Sequence, residues 1–291
     1  MMMQSTARDR TRKLYDRVGT IAASAAVIIA LIPLGLMMAF VISHGVSAIN
    51  LGFFTKQPQP QGLGLSGGGM GPMIMGTLII IGLTSAIGIP IGLLSGIFLY
   101  QHGDHGFGQT VRFVSDVVAG TPSILAGVVA YALLIATHLL DFGPTAAACA
   151  LALLMFPTVT RATETAIRAV PVEIREAGLA LGSPEWKLIA RVIVPTAASG
   201  IVTAIVLGVA RVAGETAPLV FTAFGNPFYS TNLNKPIGAL PLQIWTDIQQ
   251  PDSPDHAAAY AGAFVLFMLV LVLNLFARGL TYRLTRRTRI I

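Results

Sequence analysis

An arginine and a glutamate stand four residues apart inside a long apolar stretch, Leu207-Gly-Val-Ala-Arg-Val-Ala-Gly-Glu-Thr-Ala-Pro218. A central arginine costs about 2.5–3.5 kcal/mol on membrane-insertion scales, so such residues usually face a protein interior or a water-filled path. On a continuous helix this spacing places Arg211 and Glu215 on one face, close enough to pair. A guanidinium can also bind two oxygens of an oxyanion at once. This segment is therefore the first candidate for function.

The composition of the whole chain is that of a membrane protein. Mean hydropathy is +0.73, and only 11% of the 291 residues are charged, whereas a soluble domain has about 25%. The net charge of +6 comes from basic residues at the ends of apolar runs, which indicates membrane orientation and no nucleic-acid partner. The first apolar run is too long for a signal peptide and lacks a small-residue cleavage site, so we expect it to be retained.

Six apolar runs are long enough to cross a bilayer, which takes about 20 residues each. The predicted spans are Val18–Ser43, Met73–Tyr100, Gly120–Leu140, Pro144–Thr163, Ala197–Ala223 and Ala257–Leu280. The predicted fold class is therefore an all-α membrane protein with six transmembrane helices.

Basic residues fall on one side of these spans. The residues on that side are Arg8, Arg10, Arg12, Lys13, Arg17, Arg112, Arg161, Arg168, Arg175, Lys187, Arg191, Arg278, Arg283, Arg286, Arg287 and Arg289. The opposite loops hold only Lys56 and Lys235. The positive-inside rule then predicts that both termini are cytoplasmic.

The predicted topology divides the chain into segments. They are a basic cytoplasmic N-terminus (1–17), a first helix with an external loop (18–72), a transmembrane domain (73–280) and a basic cytoplasmic C-terminus (281–291). The glycine-rich part of the first external loop is expected to be a flexible linker. In the second, 224–256, we expect a short amphipathic helix at the membrane surface, with Trp245 at headgroup level.

A long cytoplasmic loop, 164–195, interrupts the transmembrane domain and reads as two short helices. The first begins near Pro171, and Gly182 suits the left-handed position after its end. Ser183 is then expected as the N-cap of the second helix. The apolar residues of the two helices would form a knob that either docks on a cytoplasmic partner or lies on lipid headgroups. These residues are Ile174, Ala177, Leu181, Trp186 and Ile189. The residues alone leave both open.

The same loop resembles the EAA signature of ABC-importer permeases. Glu176-Ala177-Gly178 is followed by three residues, then Gly182, nine residues and Val192-Ile-Val-Pro195. The spacing of that signature is kept, with Gly178 in place of its second alanine and valines in place of an isoleucine and a leucine. The resemblance implies a type I ABC-importer permease fold. It also implies that the loop docks in a cleft of an ATPase subunit through Glu176, Ala177, Gly178, Gly182, Ser183 and Trp186.

Further stretches resemble the A subunit of the phosphate-specific transport (Pst) permease within that family. They are Gly68–Thr77, Gly120–Gly127, Ala210–Leu219 and Ile237–Ile244. The resemblance implies import of inorganic phosphate across a bacterial inner membrane, with Arg211, Glu215 and Thr216 along the substrate pathway. The implied partners are a homologous C permease in a heterodimer, a dimer of ATPase subunits and an external phosphate-binding protein.

The chain itself is expected to be neither an enzyme nor a cofactor-binding protein. It has no Walker A sequence, so ATP and Mg²⁺ would belong to the partner ATPase. No catalytic constellation and no convincing set of metal ligands is visible in the sequence.

Two questions stay open. Glu215 would repel an anion, so it would either pair with Arg211 in the empty path or accept a hydrogen bond from a protonated phosphate oxygen, which sulfate lacks. The pair could also serve only as a packing salt bridge between subunits.

Three rivals to the function remain: a permease for molybdate or tungstate, a proton-coupled secondary anion transporter with Glu215 as proton carrier, and a membrane-embedded enzyme.

Overall fold

The computed structural model describes residues 7–60, 68–251 and 253–288, and these residues contain helices and no named strand. The helices are α1 (Ala7–Gly45), α2 (Leu51–Thr55), α3 (Gly71–His102), α4 (Gly106–Gly120), α5 (Ser123–Ala130), α6 (Pro144–Arg168), α7 (Val172–Ala180), α8 (Glu185–Leu188), α9 (Val194–Thr196), α10 (Ala198–Ala213), α11 (Ala217–Thr222), α12 (Leu240–Asp247) and α13 (Ser253–Thr288). Short π-helical turns follow α5 at Tyr131–Ile135 and α8 at Ile189–Ile193. In the described residues, the helices supply four long apolar spans, or up to six if each of two bent pairs is one span.

The pairing of α3 with α6 forms the centre of the molecule. Three glycines of α3, at positions 88, 92 and 96, allow the two backbones to approach closely. A Cβ on Gly92 would lie 2.7 Å from the Cβ of Val159, and one on Gly96 would lie 2.7 Å from the carbonyl oxygen of Thr160. Small residues at every fourth position are the usual means of close packing between membrane helices.

Helix α10 packs on the same helix α6 from another side. Gly208 permits this contact, since a Cβ there would lie 2.6 Å from Val159 Cγ2. Met155 and Val159 of α6 and Val212 beside Arg211 belong to one buried apolar cluster. The helix that carries Arg211 is therefore fixed directly to the core.

Helix α1 lies outside this core. Residues 12–37 are all exposed, and the helix meets the rest of the protein near its end, where Phe40 and His44 pack around the ring of Tyr260 on α13. Gly45 is buried there, and a Cβ on it would come within 2.6 Å of the Ala261 backbone nitrogen. From Val18 onward, the exposed length of α1 is apolar and suited to lipid.

The third span differs from the sequence expectation of one helix over Gly120–Leu140. The structure has a separate helix α4, and the chain bends by 107° between α4 and the segment Ser123–Ile135. Pro122 accounts for the bend, because a proline disfavours the helical conformation at the preceding residue. Thr121 accordingly has an extended backbone, with φ −78° and ψ 134°.

The two segments predicted to be external are also more ordered than expected. The first contains α2, capped by the Asn50 side chain, which accepts a hydrogen bond from the Phe53 amide at 3.1 Å. Residues 61–67 of the expected linker lie outside the described part of the chain. Helix α12 exists as predicted, but Leu240 is fully buried. The Leu240 amide donates to Thr77 Oγ1 of α3 at 2.8 Å, so α12 is part of the bundle rather than a surface helix.

Candidate functional site

Arg211 lies in the last turn of α10, on an exposed face of this single chain. Leu207, one turn earlier on the same face of α10, is apolar and exposed. Within the described residues its guanidinium takes part in no hydrogen bond or ion pair. The last turn of a helix favours a positive charge because of the helix dipole. The guanidinium is thus held on an apolar face with its donors available to a ligand.

Glu215 does not share a helix with Arg211, contrary to the expectation from their spacing. Helix α10 ends at Ala213, and Gly214 to Thr216 form a break before α11. Glu215 is half-buried in this break, and the described structure contains no ion pair between it and Arg211. The break has a physical cause in Gly214, a poor helix residue, and in Pro218, which lacks an amide donor.

Thr216 occupies the N-cap position of α11, and its side chain makes no capping hydrogen bond. A Cβ on the neighbouring Gly214 would meet nothing within 4 Å, so the break borders open space. On its other side α11 packs against α5, where a Cβ on Gly127 would lie 2.7 Å from Pro218 Cα. The structure thus places all three predicted pathway residues around one helix break, next to open space and to the bent pair α4–α5.

The loop predicted to be cytoplasmic, 164–195, folds as two short helices joined by a tight turn. Gly182 has φ +75°, the left-handed conformation expected for it. Its amide donates to the Leu179 carbonyl at 2.9 Å, and the Ser183 amide donates to the Gly178 carbonyl at 3.2 Å. These two bonds define a Schellman motif, which ends α7 and reverses the chain.

Ser183 does not cap the second helix as predicted. The N-cap is Pro184, whose carbonyl accepts the Lys187 and Leu188 amides at 3.0 and 3.1 Å. Helix α8 therefore starts one residue later than expected, and no side chain caps it. Glu185 lies in the first turn of α8, where its charge is favoured.

Two contacts hold α7 against α8. A Cβ on Gly178 would lie 2.3 Å from Leu188 Cδ1, so glycine there allows the helices to touch. Arg175 donates to Glu185 Oε1 at 2.5 Å, and this hydrogen bond raises the pKa of Arg175. The helix pair is therefore a defined unit, and the substitution of glycine for the second alanine of the signature has a packing reason.

The tip of this unit exposes apolar side chains. Leu181 is 88% exposed and Trp186 is 67% exposed, and the nearby Glu176 and Ala177 are exposed as well. The predicted residue Ile189 faces the other way and is buried against α10 neighbours such as Ile201. The exposed tip has the character of a docking knob.

One cluster of charges was missed by reasoning from the sequence. Glu164, at 5% exposure, accepts hydrogen bonds from Arg112 of α4 and from Arg161 and Arg168 of its own helix. Arg161 also donates to Asp116 of α4 at 2.7 Å. The spacing of Arg161, Glu164 and Arg168 was an available signal, because positions three and four apart share a helix face.

The bundle and its protruding helix pair define a class: the membrane component of a binding-protein-dependent importer. The family model described as "Binding-protein-dependent transport system inner membrane component" matches residues 88–290, more than half of the chain. The helical pattern and this match indicate a multi-pass inner membrane protein.

Curated relatives narrow the class. The chain is 35% identical to the phosphate transport system permease protein PstA of Yersinia pestis, over 92% of this chain and 90% of that protein. It is 37% identical to PstA of Haemophilus influenzae, over 92% and 94%. It is also 35% identical to PstA 1 of Mycobacterium tuberculosis, over 96% and 91%. The chain therefore belongs to the binding-protein-dependent permease family, and within it to the PstA phosphate permeases.

Solved structures agree with the fold. A bacterial alginate ABC transporter in complex with an alginate pentasaccharide-bound periplasmic protein matches with a TM-score of 0.64 at 16% identity, covering 97% of this chain and 99% of that chain. An inward-facing MetNI methionine ABC transporter matches with a TM-score of 0.58 at 21% identity, covering 75% and 96%. The fold class predicted from the sequence, an ABC-importer permease, is confirmed.

Proposed function

We propose that this chain is a permease subunit of an ATP-driven ABC importer that moves inorganic phosphate into the cytoplasm. The relatives named as PstA support the cargo, since they match nearly the whole chain at 35–37% identity. The observation that carries the mechanism is the exposed, unpaired Arg211 on an apolar face beside a helix break. A molybdate or tungstate permease has no comparable support.

Arg211 is proposed as the anion-binding group of the path. Its planar fork can donate to two phosphate oxygens and keeps its charge at any physiological pH. The guanidinium lies on the surface of the isolated chain, so a second subunit must cover this face to enclose a passage. We infer that this subunit is the homologous C permease, and that the passage runs between the two.

One arginine per permease gives a modest site, which suits transport because the anion must also leave. High affinity is then the task of an external phosphate-binding protein. Thr216, half-buried in the same break, offers a neutral hydroxyl to the passing anion.

The helix pair α7–α8 is proposed as the coupling element for a dimer of ATPase subunits. Its exposed tip, with Leu181 and Trp186, supports docking, and the Schellman turn gives it a fixed shape. ATP and Mg²⁺ are assigned to the ATPase, so this chain acts as a non-catalytic subunit. A proton-coupled transporter would have no use for such a unit.

The test of the pathway role is phosphate uptake by the complex that carries Arg211→Gln. We expect uptake to fall by about 100-fold, because a charge-assisted bidentate contact is worth roughly 1.5–3 kcal/mol. Arg211→Lys keeps the charge without the fork and is expected to retain part of the activity.

Lys235→Gln is the matched control. It removes the same charge from an exposed external loop and should leave uptake unchanged. Assembly of each variant is checked by co-purification of the ATPase. Normal uptake by an assembled Arg211→Gln complex would contradict the proposed role.

A further inference from the structure

The contact between α4 and α6 contains four charged side chains that alternate in sign. Helix α4 supplies Arg112 and Asp116, and α6 supplies Arg161 and Glu164. We call these four residues the charge quartet. Arg112 donates to Glu164 at 2.5 Å and Arg161 donates to Asp116 at 2.7 and 2.8 Å, so each helix gives one cation and one anion to the other.

The quartet is partly buried, unlike an ordinary pair of surface charges. The Glu164 side chain is only 7% exposed, whereas its partners retain 30–46% exposure. If α4 slid along α6, Glu164 would lose Arg112 and Arg161 would lose Asp116, while Glu164 would keep Arg161 and Arg168 of its own helix. Sliding therefore costs the two ion pairs between the helices, one of which has a buried carboxylate. Nearby, the hydroxyls of Ser115 and Thr160 are buried without a hydrogen-bond partner in the described structure. The ionic pairs therefore supply the side-chain hydrogen bonds that link α4 to α6.

The quartet lies on a continuous route between the two functional elements. The coupling helix α7 follows α6 after only three residues, 169–171. Helix α4 leads through the bend at Pro122 into α5. Helix α5 in turn packs against α11 at Gly127 and Pro218, directly after the break that contains Glu215.

We propose that the charge quartet positions the pathway by making α4 follow α6. A displacement of the coupling helices then reaches α5 and α11 and changes the width of the break between Ala213 and Ala217. The inference rests on the proposed function, since it assigns a route for the coupling that an ATP-driven importer requires. Arg112, Asp116, Arg161 and Glu164 are positioning residues, because they act on the anion only through other helices.

The experiment measures phosphate transported per ATP hydrolysed by the reconstituted full complex. Arg112→Gln is expected to lower this ratio by about fivefold or more, the lower end of typical coupling between distant sites. Arg112→Lys keeps a cation for Glu164 and should restore most of the ratio. A purely structural defect would lower the amount of complex and leave the ratio of the surviving complexes unchanged.

Arg168→Gln is a matched control. Arg168 donates to the same oxygen, Glu164 Oε1, at 3.1 Å, but from the same helix. Its loss removes one cation from Glu164 without cutting the link between α4 and α6, so the ratio should stay near that of the unaltered complex. Should Arg112→Gln fail to assemble, Asp116→Asn gives the same measurement, since Asp116 is 56% exposed and its loss leaves Glu164 paired.

Two failures can be told apart. If the unaltered complex imports no phosphate, the proposed function is wrong. If it imports phosphate and Arg112→Gln and Asp116→Asn both keep the full ratio, the function stands and the route through the quartet is overturned. An equal fall for Arg168→Gln would also overturn it, because the effect would then concern the charge of Glu164 alone.

Discussion

A guanidinium on an apolar surface needs a hydrated path or a protein partner, and Arg211 has no partner among the residues that the structure describes. The sequence alone showed that this residue is energetically costly, because it places a charged side chain inside an apolar run. It did not reveal the break at Gly214–Thr216, so the shared helix face was wrong, and the ion pair with Glu215, one of the alternatives left open, is absent from the described structure. Local spacing predicts a shared face only where the helix continues, and here glycine and proline end it.

Since Glu215 is not paired with Arg211 in the structure, its role as a hydrogen-bond acceptor stays as a prediction. Phosphate near neutral pH carries a proton that a carboxylate can accept in a hydrogen bond, and sulfate has none. We expect Glu215→Gln to keep assembly and to weaken the preference for phosphate over sulfate by roughly fivefold, since a charge-assisted bond exceeds a neutral one by about 1 kcal/mol.

Competition of sulfate with radiolabelled phosphate uptake provides the measurement. Asp141→Asn, which removes an exposed carboxylate, is the control. An unchanged preference in the assembled Glu215→Gln complex would rule out discrimination by Glu215.

At the scale of elements, the long apolar helices were predictable and the bends were not. Helices α3 and α13 contain the predicted spans Met73–Tyr100 and Ala257–Leu280. The third span, predicted as Gly120–Leu140, omitted helix α4, and the chain bends by 107° between α4 and Ser123–Ile135. The charge quartet could not be predicted for the same reason, since Arg112 was assigned to a connection and the structure places it on helix α4. Hydropathy shows which segments are long and apolar enough to cross the bilayer. It gives little information on where a helix bends or ends.

The glycine stripe of α3 yields a prediction for this element. Gly92→Ala places a methyl group 2.7 Å from Val159 Cβ, so we expect a loss of about 1–3 kcal/mol of stability from overpacking. Gly82 lies on the same helix with nothing within 4 Å of its Cβ position, and Gly82→Ala should be neutral or slightly stabilising.

The measurement is the melting temperature of the purified complex in detergent. Both variants replace glycine by alanine in the same helix, so the gain in helix propensity is the same for the two. Equal melting temperatures for Gly92→Ala and Gly82→Ala would show that α3 and α6 do not pack as described.

At the scale of the whole molecule, we propose that the permease is one half of a passage. Arg211, the proposed anion-binding residue, is exposed on its own chain, and the proposed coupling unit exposes leucine and tryptophan. Both exposed surfaces suit a complex. The class could be predicted from the signature in the loop 164–195, whereas residues that another chain would contribute to the path leave no trace in this sequence.

The orientation of the whole molecule stays a prediction from the distribution of basic residues. It requires Leu181 to face the cytoplasm and Lys235 to face the outside. In a Cys149→Ala background, we expect Lys235→Cys to react with a membrane-impermeant maleimide in spheroplasts, and Leu181→Cys to react only after permeabilisation. The reverse pattern would contradict the orientation, and the cysteine-free background gives the level of unspecific labelling.

Helix α1 has a different consequence for the molecule. It is held at one end, where Gly45 and His44 meet α13, and the residues from 12 to 37 touch little besides the solvent that surrounds them. A transmembrane helix fastened at a single end can change its tilt at small cost. Differences in bilayer thickness between growth conditions will therefore be absorbed by the angle of α1, and the glycine-packed bundle of α3, α6 and α10 will keep its shape.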